Sequence, residues 1–120
     1  MRRQEELTQI AIFQWAAAQH GLYPELDLLY HCPNGGKRSK AEAARLKAAG
    51  VKAGVPDLCL PVPRGGYNGL YVELKEGKNT PTAAQKAWID ALNAQGYKAV
   101  VCWGFDPAVR EIKRYLGGKP

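Results

Sequence analysis

The stretch "GVPDLCLPVPRGGYNGLYVELKEGK", Gly54 to Lys78, holds two apolar runs, Leu58–Val62 and Leu70–Leu74. Each has the length and composition of a strand, and the Pro-, Gly- and Asn-rich segment 63–68 between them has the makeup of a turn. The stretch therefore predicts an antiparallel hairpin. Three ionisable residues interrupt its apolar pattern: Asp57 stands at the mouth of the first strand, and Glu73 and Lys75 stand at the end of the second. Ionised groups on a buried strand cost several kcal/mol unless they are paired or bind a metal.

A hairpin symmetric about Gly65 would set Asp57 opposite Glu73, and directly opposed Cβ atoms lie about 4.5–5.5 Å apart. Strand alternation would place Tyr71, Glu73 and Lys75 on one face, and Leu70, Val72 and Leu74 on the other. Two carboxylates that close repel, so one would take up a proton. A divalent cation removes the conflict, and Mg²⁺ favours hard oxygen ligands while keeping several waters. Asp57, Glu73 and the backbone carbonyl of Leu74 are the candidate ligands. Lys75, a compact charge beside them, could hold a phosphate oxygen or orient a water and favour its ionisation. These parts suit metal-assisted hydrolysis of a phosphodiester. The plainer alternative is that Asp57 caps a turn after Pro56, with Glu73 and Lys75 paired on a solvated strand.

Outward from the hairpin, periodicity and punctuation predict the order α-β-α-β-β-α-β-α, an α/β fold with a mixed sheet flanked by helices. Residues 4–19 read as an amphipathic helix whose apolar positions Leu7, Ile10, Phe13 and Ala17 recur at helical spacing, with Gly21 after it. Leu26–Cys32 reads as a strand and "PNGGKRSK" as a loop. Ser39 is placed to cap a helix over Lys40–Ala49, ended by Gly50. Thr80 is expected to cap the next helix, with Pro81 at its first position and Ala84, Trp88, Ala91 and Leu92 buried. Trp88 and Trp15 are expected in core packing and not as base-stacking residues. Tyr97–Trp103 reads as a strand, and Pro107 as the start of a last helix reaching Leu116.

The 120 residues suit one domain over 1–120, large enough for a core. No apolar run approaches the ~20 residues of a membrane span, and residues 1–9 lack the apolar stretch of a signal peptide, so a cytoplasmic location without membrane association is expected. Cys32, Cys59 and Cys102 lie far apart with no metal-finger spacing, which predicts reduced core thiols. Net charge is +6, and residues 37–52 carry six Lys/Arg against Glu42, a net +5. So dense a patch is either a solvated helix face or a surface for a polyanion such as nucleic acid.

Pro56-Asp57 followed by Glu73-Leu74-Lys75 matches the signature of the PD-(D/E)XK nucleases. More narrowly, "PNGGKR", "LKAAGVKAGVPDLCLPVPRGGYNGLYVELK" and "TPTAAQKAWIDALNAQGYKAVVCWG" resemble the small phage and prophage VRR-NUC nucleases, with the resemblance running from about Glu5 to Leu116. It implies a restriction-endonuclease-like core, bound Mg²⁺ or Mn²⁺, and endonucleolytic cleavage of DNA to 5′-phosphate and 3′-hydroxyl ends. It also implies kinship with Holliday-junction resolvases and a homodimeric working form in a phage or bacterial-host cytoplasm. By this resemblance Asp57 and Glu73 match the metal carboxylates, Lys75 the catalytic lysine, Gln85 the glutamine on the following helix, and Glu5 the acid of the first helix, with Glu6 its neighbouring alternative. Asn34 matches a loop residue near the site and is grouped with Lys37, Arg38 and Lys40 as DNA-contacting. Branched DNA is the expected substrate class, because no segment looks dedicated to base readout. The rivals are a non-catalytic basic nucleic-acid-binding accessory protein and a nuclease acting on flaps or RNA.

Overall fold

The hairpin forms with the expected register. β2 (Leu58–Leu60) runs antiparallel to β3 (Leu70–Lys75), pairing Leu58 with Val72, Cys59 with Tyr71 and Leu60 with Leu70. The structure, a computed structural model, describes residues 3–34 and 39–117. β2 stops two residues short of the expected Val62. Pro61 has no N–H to give the ladder, and the Val62 N–H turns back onto the Leu60 carbonyl at 2.9 Å.

β1 (Tyr30–His31) adds antiparallel to β2, and β4 (Lys98–Trp103) adds parallel to β3, so the four-stranded mixed sheet has the order β1-β2-β3-β4. A parallel neighbour needs a crossover, and α3 (Ala83–Ala94) provides it. α1 (Arg3–Ala18), α2 (Lys40–Ala48) and α4 (Phe105–Tyr115) complete the fold. No described helix is long and apolar enough to cross a membrane.

The core lies on one face of the sheet. Leu58, Leu60, Leu70, Val72, Leu74 and Cys102 meet Ile12 and Ala16 of α1 and Ala108, Ile112 and Tyr115 of α4. Burying each large aliphatic side chain is worth about 1.5–3 kcal/mol, so this layer fixes the register on which the other face depends. On that other face stand Cys59, Tyr71, Glu73 and Lys75, as alternation requires. All three cysteines are buried and free.

Several elements depart from the sequence reading. Leu26–Cys32 is not a strand: Pro24–Leu28 forms a 3-10 helix with Pro24 in its first turn, and only Tyr30–His31 is extended. Leu26 and Leu29 are both buried, three residues apart, which is the 3-10 period. α1 presents a different face from the one expected. Glu5, Thr8, Ile12 and Ala16 are buried, whereas Leu7 and Ile10 are each 47% exposed.

The cap of α3 is Thr82, not Thr80, so Pro81 precedes the helix and does not begin it. Thr82 Oγ1 accepts from the Gln85 N–H, and Gln85 Oε1 accepts from the Thr82 N–H, a reciprocal box. α3 has no fully buried residue: Ala84 and Ala91 are exposed, and Trp88 and Leu92 are half-buried. α4 starts at Phe105, two residues before Pro107, because Gly104 at φ 94° takes the cap position. α2 matches its expected start, with Ser39 accepting from the Glu42 N–H at 3.1 Å.

Candidate active site

Asp57 and Glu73 are carried to one place by the β2–β3 pairing. Asp57, 2% exposed, sits in the bend just before β2. Its Oδ2 accepts from the Leu74 N–H at 2.7 Å, which extends the β2–β3 ladder through a side chain. Its Oδ1 accepts from Asn34 Nδ2 at 3.1 Å, and the same amide reaches the Val55 carbonyl at 3.3 Å. The Asp57 carbonyl accepts from the Cys32 N–H at 2.8 Å and lies 2.9 Å from His31 Nδ1. Asn34 thus joins the loop after β1 to the acid, and together with the Leu74 N–H it orients the Asp57 carboxylate.

Glu73 is 1% exposed on the fully buried part of β3. Its Oε2 accepts from Gln85 Nε2 at 3.1 Å and lies 3.5 Å from Lys75 Nζ. Its Oε1 is buried with no donor against it, and the carboxyl lies within hydrogen-bonding reach of the Asp57 carboxyl, a contact that only a proton between them could satisfy. Burial, and then the Asp57 charge, push the Glu73 carboxyl up to about 8, against the opposing pull of Lys75. Gln85 serves two ends at once, since its oxygen closes the α3 cap while its nitrogen holds Glu73. The helix start and the acid are therefore positioned by one side chain.

Gly54 brings α3 this close. It has φ 92°, and a Cβ there would lie 2.8 Å from the Ala84 backbone, so only glycine lets the segment before Asp57 touch the first turn of α3. Glu5 is buried at 5% exposure and Glu6 is exposed, so Glu5 is the first-helix acid that turns inward. One turn on, Thr8 Oγ1 donates to Glu76 Oε1 at 2.6 Å, which places this face of α1 at the Lys75 end of β3.

Asn34, Asp57, Glu73, Leu74, Lys75 and Gln85 are thus joined by direct contacts, with Glu5 buried on the adjoining helix face. Lys40 is exposed on α2, away from these contacts. Lys37 and Arg38 lie outside the described residues. Sequence reasoning missed Thr8, Glu76, His31 and Gly54. Thr8 could have been found, since it stands three residues after Glu5 on one helix face; the other three depend on tertiary approach.

Among the described residues, no group of three or more His, Cys, Asp and Glu is placed to hold a metal. The site offers two carboxylates. That set fits a hard divalent cation that keeps most of its waters. Two observations favour the fit: the unpartnered Glu73 Oε1, and a carboxyl whose ionised form burial and Asp57 disfavour. A cation would answer both.

A mixed sheet carrying an acid before one hairpin strand and an acid and a lysine on the next is a nuclease-type fold. The comparisons make the assignment narrower: residues 2–106 match the VRR-NUC domain, and the chain belongs to that family. A solved structure described as a VRR_NUC domain protein is 36% identical, with a TM-score of 0.82 over 99% of this chain and 93% of its own. No curated protein matches the chain.

Proposed function

We propose that the protein is a divalent-metal-dependent endonuclease that hydrolyses phosphodiester bonds in DNA, with branched DNA as its preferred substrate. The observation that carries this reading is Glu73. A fully buried carboxyl beside Asp57 and Lys75, with one oxygen that no donor reaches, costs folding stability when it ionises. A non-catalytic basic binding module would gain nothing from it.

Asp57, Glu73 and the Leu74 carbonyl would hold Mg²⁺ or Mn²⁺. When bound, the ion lowers the pKa of a coordinated water and offsets charge on the phosphate. The chain's own residues do the rest. Asn34 and the Leu74 N–H keep the Asp57 carboxylate in one orientation. Gln85 holds the Glu73 carboxyl by donating to its Oε2. Lys75, 3.5 Å from Glu73, directs an ammonium at the phosphate or the attacking water. It lies in a poorly solvated place, where a fixed charge acts more strongly on charge developing during displacement.

The test is to incubate purified protein with labelled duplex, single-stranded, flap and four-way-junction DNA, with and without Mg²⁺ or Mn²⁺. Metal-dependent cleavage, strongest on branched DNA, is expected. Asp57→Ala, Glu73→Ala and Lys75→Ala should each reduce cleavage by about a hundredfold or more. The two carboxylate variants should retain DNA binding, because losing an acid lowers repulsion from phosphate. Undiminished cleavage by Asp57→Ala or Glu73→Ala would refute the site.

A further inference from the structure

A groove of about 560 Å³ lies between α2, the segment after it and α3, and it falls in the size range of small-ligand sites. Leu46, Val51 and Trp88 form its apolar walls, Lys47 and Lys52 also line it, and no acid among the described residues does. It stays open because α2 buries none of its residues. Its position relative to the candidate active site is set twice. Trp88 stands three residues after Gln85 on α3, and residues at that spacing share a helix face, while Gln85 holds Glu73. The opposite wall is pinned where Gly54 meets the Ala84 backbone.

We propose that this groove takes one unstacked nucleobase of the substrate strand near the scissile phosphate. The base would stack on Trp88, and Lys47 and Lys52 would hold the adjoining phosphates. The inference rests on the nuclease reading and gives it a substrate subsite. Charge complementarity favours a nucleotide over a neutral apolar ligand, since among the described residues the ionic groups of the lining are the cations Lys47 and Lys52. An aromatic face flanked by lysines is how proteins hold single-stranded nucleic acid without reading sequence, because every base has a π-face. The apolar walls offer no donor–acceptor code. A base inside an intact duplex cannot enter, so the groove selects DNA with an unpaired nucleotide at a branch, flap or nick. It reads structure and is indifferent to sequence.

The experiment measures binding by fluorescence anisotropy in chelator, so that the strand stays uncut. A single abasic site is walked through the nucleotides around the branch of a flap substrate, with wild type, Trp88→Phe and Trp88→Ala. One position is expected where removing the base weakens wild-type binding about tenfold. Trp88→Ala should lose a similar factor on the intact substrate and be insensitive to that position, and Trp88→Phe should keep most of the affinity. A flat abasic profile overturns the proposal, as does a Trp88→Ala loss that is equal on intact and abasic DNA. Should Trp88→Ala fail to fold, wild type is tested with 2-aminopurine walked through the same positions. Quenching at one position on binding supports stacking, and no quenching at any position overturns it. Wild type that binds no DNA at all sinks the nuclease reading and the subsite together, whereas metal-dependent cleavage with a flat profile sinks the subsite alone.

Discussion

A carboxyl sealed on an apolar strand beside a second carboxyl keeps its proton well above the usual range, and for Glu73 that means to about pH 8 against an ordinary 4.5. The sign of the consequence follows from linkage. Between these values the folded chain holds a proton that the unfolded chain has released. The Glu73 contribution to the stability of the metal-free protein is therefore fullest below about pH 4.5 and is lost as the pH rises toward 8, by a few kcal/mol in all. Thermal melts in chelator should show this decline. Mg²⁺ should flatten it by favouring the ionised form, and Glu73→Gln should remove this component in chelator. A slope unchanged by Glu73→Gln would mean that other groups carry it. Gln85 belongs to the same balance, because it holds Glu73 and closes the α3 cap together. Gln85→Ala should cost about ten- to a hundredfold in metal affinity or cleavage, together with a lower melting temperature from the missing box. Cleavage at the wild-type rate would show that Glu73 needs no orienting partner.

At the scale of elements, the hairpin was legible because its two carboxylates, its turn and its apolar alternation all agree on one register. The α1 face was not. Leu7, Ile10, Phe13 and Ala17 make the better apolar stripe, yet α1 turns Glu5 and Thr8 inward, toward the Lys75 end of β3. Local hydrophobicity cannot record that a helix gives up apolar burial to place an acid. Thr80 and Thr82 both stand beside Pro81; Gln85 at the third helical position decides for Thr82. Trp88 has the character of a core residue, but α2 does not close over it. The basic elements bear a direct test. Lys40, Arg45 and Lys47 are exposed on α2, and changing all three to Ala should flatten the log–log salt dependence of duplex binding by about 0.9 for each phosphate that the helix no longer neutralises. An unchanged slope would make α2 an ordinary solvated face. Gly54→Ala should destabilise by about 1–3 kcal/mol in denaturant titration, since its φ of 92° disfavours any side chain and the Cβ meets the Ala84 backbone. It should lower cleavage as well, by moving α3 and Gln85 away from Glu73.

For the whole molecule, the decisive quantity is the number of sites per particle. Each chain of 13.2 kDa carries one Asp57–Glu73 pair, and a symmetric cut in a four-way junction needs two sites related by a two-fold axis. We propose that a C₂ homodimer supplies them; it is also the commonest form of homo-oligomer. The sheet leaves a surface suited to it. β4 pairs with β3 on one side only, so among the described residues its other edge is unpaired by any strand, with Trp103 44% exposed at its end. Unprotected edges invite pairing with another chain. α4, which packs beside β4, completes the proposed contact surface. Leu7 and Ile10 on the outer face of α1 form a second apolar patch, and substitution can separate the two. Light scattering at micromolar protein should give a mass twice that of one chain. Trp103→Lys should return it to one chain if the β4 edge is the contact, and Leu7→Lys with Ile10→Lys should do so if α1 is. A single-chain mass for wild type with and without junction DNA, alongside efficient paired nicking, would rule the dimer out. A dimer that forms only on the junction would mean that the substrate brings the two sites together, and paired nicking should then rise with the square of protein concentration while the junction is scarce.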